Sequence, residues 1–405
     1  MKETQINKII VYFLYLLAFA SCFYMFEAIQ AIIMSAASFF LLLQYTSKKK
    51  LLSIKTLPFI LSFLLLLIYN LFYFNSRSLQ SISNSLLIFV VPIFSLFLYD
   101  SSFFKKHKNN ILLSYSCCIS ILSIYILGFY INDIPNHHFN WYFARFNLEK
   151  NIHIHGTYIS LWIAVALLFV FDFLAKNKDL HAKFKISLLI LAFLLLASMV
   201  VINARMILFS TLILIALNAY FLFVKQGLFN KKIILIPLVL LFTGVIFLSQ
   251  RYKDDLKFLN KNKIENSSRY TICYCSLKVI RNSNFLGTDN STIQPKLNDC
   301  YDEYGFEDLS KEKLNSHNQY LDYFMKGGIL LFIAFIVTLF VKLRYALKSK
   351  NYLYFSISLL FTFSFLTENI LVRQYGIYLF LFCDILFLGS VLINESHCTD
   401  EIEKN

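Results

Sequence analysis

Between Gln250 and Lys326 the chain carries a polar island of 77 residues, and nearly everything outside it is cut into apolar runs. Those runs constrain the fold more than any other feature. Each is about 17–21 residues, near the length that ~30 Å of hydrocarbon requires of a helix. Twelve spans are expected, with approximate cores at 9–26, 28–45, 56–74, 82–99, 111–131, 156–174, 186–202, 206–224, 233–249, 327–343, 352–367 and 375–393. The first two nearly fuse around Glu27, and the seventh and eighth around Asn203 to Arg205. The fold class is therefore an all-α polytopic membrane protein of about twelve transmembrane helices with one large outward-facing loop. Its parts are N-terminal transmembrane helices (1–140), core transmembrane helices (141–249), the large loop (250–326), C-terminal transmembrane helices (327–394) and a cytoplasmic tail (395–405).

Composition agrees with lipid as the main solvent. Hydrophobic residues make up 58% and charged residues 15% of the 405, against about 25% charged in a soluble domain. A net charge of +14 would suggest nucleic acid in a soluble protein. Here the lysines stand in short clusters between apolar runs, which is how membrane topology is set, and no nucleic-acid partner is expected. Ile9 to Phe26 is long enough to span and lacks a small-residue cleavage site, so it reads as a first helix and not as a removable signal.

The connections fix the orientation. One side collects 21 Lys and Arg, among them Lys48, Lys49, Lys50, Lys105, Lys106, Lys108, Lys183, Lys185, Lys342 and Lys350. The short connections on the other side hold five: Arg77, Arg145, Lys150, Arg205 and Arg373. Positive charge marks the cytoplasm. Both termini are then cytoplasmic and the island faces outward; its twelve basic and eleven acidic residues do not count, because long loops escape the rule.

The island reads as two or three amphipathic helices and not as a separate domain. Tyr270 to Ile280 intersperses Ile272, Leu277, Val279 and Ile280 with polar residues. Over Leu314 to Met325 a three-to-four residue repeat groups His317, Tyr320, Leu321 and Phe324, which turns His317 toward the interior. A second outward loop, about 132–155, holds His137, His138, Trp141, Arg145, His153 and His155. Its histidines have no recognised zinc spacing, so no metal is expected. Trp141, Tyr142 and Phe143 suit an interfacial anchor. Cys273, Cys275 and Cys300 lie in the island, where an oxidising exterior permits one bridge. Cys275–Cys300 and Cys273–Cys300 are both open, as are free thiols. Asp384 falls inside the last span, and intramembrane acids are functional candidates by default.

Arginine at membrane depth is expensive, by at least about 2.5–3.5 kcal/mol. Arg205, Arg269 and Arg373 nevertheless stand at the outer rim. A planar, permanently charged fork pairs bidentately with phosphate, although each alone could be a snorkelling boundary residue.

Four motifs in order, from about 140 to 390, resemble the O-antigen ligase and polymerase superfamily of bacterial envelope glycosyltransferases. His155-Gly156-Thr157-Tyr158 is similar to a His-Pro-Thr-Tyr step into a span, with Gly156 in place of the proline. Asn203-Ala204-Arg205 is similar to a Ser-Arg step between consecutive spans, of which only the arginine carries over. Ser267-Ser268-Arg269 and the following helix lead to Phe285-Leu286-Gly287-Thr288, which resembles a Gly-x-Gly turn whose second glycine is Asp289 here. His317-Asn318-Gln319-Tyr320-Leu321 followed by Gly327-Gly328-Ile329 matches His-Asn-x-Tyr-Leu and Gly-Ile. Glu368, Arg373-Gln374 and Gly376 resemble a further step in one branch.

The resemblance implies a helical bundle of the GT-C kind in the bacterial inner membrane, with its active face periplasmic. The implied partners are an undecaprenyl-diphosphate-linked glycan, a lipid A-core or other glycan acceptor, and membrane lipid; no cofactor is needed. In such a reaction a sugar hydroxyl attacks the anomeric carbon as the lipid diphosphate leaves, with inversion if the displacement is single. His317 is the candidate base, since histidine alone titrates near neutrality unperturbed. Arg205, Arg269 and Arg373 are the candidate diphosphate clamp. Asn318, Tyr320, Glu368 and His155 are candidates for acceptor contacts or support. Tyr320 is expected to pack, and Glu368 to sit in a structural pair. A polymerase differs only in its acceptor; one dominant loop favours the ligase, while the four-histidine loop keeps the polymerase open. A transporter would favour broken helices and charges at the midplane, whereas these charges lie at the rims.

Overall fold

The computed structural model describes residues 3–21, 27–46, 56–96, 98–133, 141–177, 179–226 and 268–402, and among them every regular element is a helix. In chain order the first ten are α1 Glu3–Ala20, α2 Glu27–Thr46, α3 Leu57–Phe72, α4 Ser76–Ser85, α5 Val91–Phe94, α6 Ser102–Asp133, α7 Trp141–Ile152, α8 Gly156–Lys176, α9 Ala182–Ile202 and α10 Arg205–Gln226. The island contributes α11 Ser268–Asn282, α12 Asn290–Glu303 and α13 Glu307–Lys311, and the chain returns to the bundle with α14 Gln319–Lys348, α15 Tyr352–Ser364 and α16 Gln374–Ile402. Among the described residues six helices are long and apolar enough to cross a membrane, and five shorter apolar helices accompany them. Each expected span that falls in the described residues overlaps one of these helices, long or short; the expected span 233–249, and His137 and His138, lie outside the described residues.

α8 and α16 are enclosed on almost all sides. From Ile159 to Val170 every residue of α8 is buried, and α16 is buried from Gly376 to Leu392. Lipid offers no hydrophobic gain to helix association, so packing and interhelical hydrogen bonds must hold the bundle. Ser62 on α3 meets Thr338 on α14 at 3.0 Å, Ser198 on α9 meets Ser123 on α6 at 3.0 Å, and Gln44 on α2 donates to Asn7 on α1 at 2.6 Å.

One charged residue falls deeper than the sequence suggested. Lys342, grouped above with a cytoplasmic connection, is 2% exposed inside α14. It ion-pairs with Asp384 of α16, which also accepts from Tyr354 Oη of α15 at 2.7 Å. The Lys342 ammonium also lies 3.8 Å from the Phe380 ring centroid. Asp384 thus ties three helices together, and its partners account for its place in the apolar interior.

The island builds a small core of its own. α11 buries Ile272, Cys275, Ser276, Val279 and Ile280, a helical stripe, against Ile293, Leu297 and Tyr301 of α12. Leu277, grouped above with that apolar set, is instead 50% exposed, because it falls off the stripe. The disulfide is Cys275–Cys300, joining α11 to α12; Cys273 is a free, exposed thiol.

Two glycines dock the island onto the bundle. Gly287 (φ +91°) and Gly328 (φ +63°) meet backbone to backbone, and a Cβ on Gly328 would lie 2.5 Å from the Phe285 carbonyl oxygen. Ile329 N donates to Phe285 O at 2.9 Å, and Thr288 N to Met325 O at 2.8 Å. Gly328 also interrupts α14, so the helix is two segments across a kink. Asp289, which stands where the second glycine of the turn was sought, caps α12 by accepting from Ser291 N at 2.9 Å and also takes Asn75 Nδ2 at 3.1 Å.

Candidate active site

His317 does not lie on a helix. The repeat that placed it there breaks at Asn318, whose side chain caps α14 by accepting from the amides of Tyr320 and Leu321 at 3.0 and 3.1 Å. His317 sits in the turn before the cap at φ +43°, a conformation uncommon outside glycine. Hydrogen bonds to the α15–α16 connection hold that turn. Gln319 N donates to Phe365 O at 2.8 Å, Gln319 Oε1 accepts from Leu371 N at 2.7 Å, and Asn318 Nδ2 donates to Leu366 O at 3.2 Å. Ser316 and Asn369 exchange hydrogen bonds at 3.1–3.2 Å.

This zipper sets His317 Nδ1 3.1 Å from Glu368 Oε2. The other oxygen, Oε1, accepts from Asn369 N at 3.1 Å. Burial works to raise the Glu368 carboxyl, but the hydrogen bond and charge of His317, then His155, then the Asn369 amide outweigh it and hold the group below the usual glutamate range. Glu368 is therefore ionised at neutral pH and can only accept. The proton of the shared bond belongs to His317 Nδ1, so in a neutral ring the lone pair is on Nε2. The structural partner of Glu368 is thus a histidine.

His155 caps α8, with Nδ1 3.4 Å from Thr157 N and 3.9 Å from Glu368 Oε2. Burial lowers its proton affinity; Glu149 and Glu368 oppose that, and Arg145 and His317 add to it. The net shift is downward, so His155 is neutral at pH 7. Gly156, standing for a proline, uses the amide that proline lacks. Its N donates to Glu149 Oε1 at 2.7 Å, and the same oxygen takes Arg145 Nε at 2.7 Å. A Cβ on Gly156 would come within 2.8 Å of that oxygen.

Asn203 ends α9 in the left-handed region (φ +58°, ψ +39°), which turns the chain within two residues and starts α10 at Arg205. Arg205, Arg269, His155, His317, Asn318 and Glu368 all line one cavity of about 790 Å³. Arg145, Thr157 and Cys273 line it too. Residues from the first turns or caps of α8, α10, α11 and α14 thus converge there, and helix N-termini favour anions.

Arg373 and Tyr320 stand elsewhere. Arg373 lines an adjoining cavity of about 320 Å³ with Lys313, Lys326 and Asp322. The His317 turn is the wall between the two cavities: Ser316 borders both, whereas His317 faces one and Asn315 the other. Tyr320 packs its ring on Phe335 and Phe365 and donates to Thr362 O at 2.9 Å. Arg145, which lines the main cavity, and its partner Glu149 were not singled out from the sequence; their i, i+4 spacing on α7 was the available signal. Among the described residues no group of three His, Cys, Asp or Glu is placed to hold a metal ion.

Residues 153–336 match the family described as O-antigen ligase. No curated protein matches the chain. The matched segment runs from the His155 turn through Arg205 and Arg269 to His317 and the first half of α14, and over these residues the chain is similar to that family.

Proposed function

We propose that the protein transfers a glycan from undecaprenyl diphosphate to a lipid A-core acceptor at the periplasmic face of the bacterial inner membrane. The observation that carries this reading is the single cavity where the His317–Glu368 pair meets Arg205, Arg269 and four helix N-termini. The acceptor hydroxyl gives its proton to His317 Nε2 as its oxygen bonds to the anomeric carbon. The bond from that carbon to the diphosphate oxygen breaks, and the electron pair leaves with the diphosphate. Glu368 holds the ring in the reactive tautomer and faces the imidazolium as it forms. Arg205 and Arg269 offer forks to the diphosphate, where fixed donors stabilise developing charge best. Arg373, across the dividing wall, is assigned to the acceptor side and not to the donor clamp. The Cys275–Cys300 bridge is in keeping with an oxidising compartment.

A polymerase is the second reading. It is favoured by the outward loop before α8, which also brings Arg145 and His155 to the cavity. One experiment separates the two: complementation of a strain lacking the protein with wild type or His317→Ala, read on a lipopolysaccharide gel. Long glycans on lipid A-core with wild type, and carrier-linked chains left unattached with the variant, support the ligase. Single repeats on the core with the variant support the polymerase. Equal profiles remove His317 from catalysis and reopen transport.

A further inference from the structure

The opposite end of the bundle holds a basic basin that the transfer reaction does not use. α8 runs 21 residues from the His317 cavity, roughly 30 Å at about 1.5 Å per residue. Where it ends, a cavity of about 350 Å³ opens between α6, α8, the α14–α15 turn and α16. Three ammonium groups line it, from Lys108, Lys176 and Lys350, with one carboxylate, Asp172. That carboxylate is committed: Oδ2 accepts from Lys176 Nζ at 2.8 Å and Oδ1 from Asn218 Nδ2 at 3.3 Å. Lys108 and Lys350 have no carboxylate in ion-pair reach among the described residues; burial, then the Lys176 charge, pull the Lys108 ammonium down to about 7 against Asp172, so an anion entering the basin would complete its protonation.

Lysines at this end are expected simply to set topology, pointing into water as the exposed Lys183 and Lys185 do. Lys108 differs. It is half-buried, and its ammonium lies 4.0 Å from the Phe387 ring centroid on α16, which fixes the charge at the cavity wall. Lys350 is exposed, but its backbone is fixed beside the cavity, at φ +55° in a turn closed by Asn351 N donating to Ala346 O at 2.9 Å.

We infer that this basin binds a phosphate anion, with Lys108 and Lys350 as its charge. A phospholipid headgroup is the nearest source, because the basin opens where a membrane-crossing helix ends. The inference is independent of the transfer reading. The test uses the delipidated full chain in detergent, titrated with phosphatidylglycerol or phosphatidylcholine and read by native mass spectrometry. Wild type is expected to retain one phosphatidylglycerol under conditions that strip phosphatidylcholine. Lys108→Gln with Lys350→Gln weakens that binding roughly 30-fold, two surface lysines' worth. Lys108→Arg with Lys350→Arg keeps it within about threefold, since the charge remains, and Lys183→Gln with Lys185→Gln leaves it unchanged. Inorganic phosphate binding by calorimetry, lost in the same Gln pair, would make a soluble phosphate the source. Equal weakening by both Gln pairs, or no weakening by the first, overturns the site.

Discussion

Glu368→Gln is the sharpest test of the proposed base. The substitution keeps the size of the side chain and an oxygen that can accept from Asn369 N, so the turn stays closed; what is lost is the charge facing His317. Two unit charges 3.1 Å apart attract by about 5 kcal/mol at an effective dielectric of about 20. The His317 side chain is 34% exposed, and water on that face takes up roughly half, leaving about 2–3 kcal/mol for an imidazolium formed in the transition state. At 1.36 kcal/mol per tenfold this is roughly a 30- to 150-fold fall in kcat. The carboxylate acts after the donor is bound, so KM for the lipid-linked glycan should hardly move. The assay is initial-rate transfer from a purified lipid-diphosphate glycan to purified acceptor across a donor titration. A kcat within threefold of wild type would refute the tautomer argument. A rise in KM with kcat unchanged would make Glu368 a binding residue instead.

Three further outcomes follow from the same geometry. Arg269→Lys and Arg205→Lys keep the charge but lose the fork, and each should raise donor KM or lower turnover by about tenfold or more, whereas Arg373→Lys should leave donor binding within twofold and act on the acceptor; equal effects at all three would erase the division between cavities. Cys273 is exposed and lines the main cavity, so a charged thiol reagent should block transfer in wild type and spare Cys273→Ser, and bound lipid diphosphate should slow the labelling. A carboxyl held low in the folded state contributes stability above its unfolded pKa and loses it as pH falls through the folded one. The melting-temperature gap between wild type and Glu368→Gln should therefore be full at pH 7 and close only below the ordinary glutamate range; a gap independent of pH would contradict the shift.

The apolar runs made the helices legible because spanning length is dictated by the bilayer, and His317, Arg205 and Arg269, which line one cavity, stood out because charge near membrane depth is costly. What could not be read depended on contacts between distant segments. Glu368 finds His317 only because Gln319 and Asn318 zip their turn onto residues 365–371, and no local pattern encodes that. Arg373 looked equivalent to Arg205 because both follow short turns; only the wall at Ser316 separates them. Lys342 looked like a topology signal because its partner, Asp384, lies 42 residues away. Gly287 lacked its expected companion at Asp289, and the companion turned out to be Gly328 across the loop.

The enclosure of α8 also bears on how the protein is made. α8 emerges from the ribosome before most of the helices that cover it, and its last cover, α16, is the last to arrive. Tyr375 and Phe382 of α16 receive the Trp162 indole N–H and the Tyr115 ring, and Asn369, just upstream, accepts from the Tyr158 hydroxyl. The segment that brings Glu368 to His317 hangs between α15 and α16. Until α16 has threaded to the centre, a central helix still faces lipid and the segment bearing Glu368 is anchored at one end only.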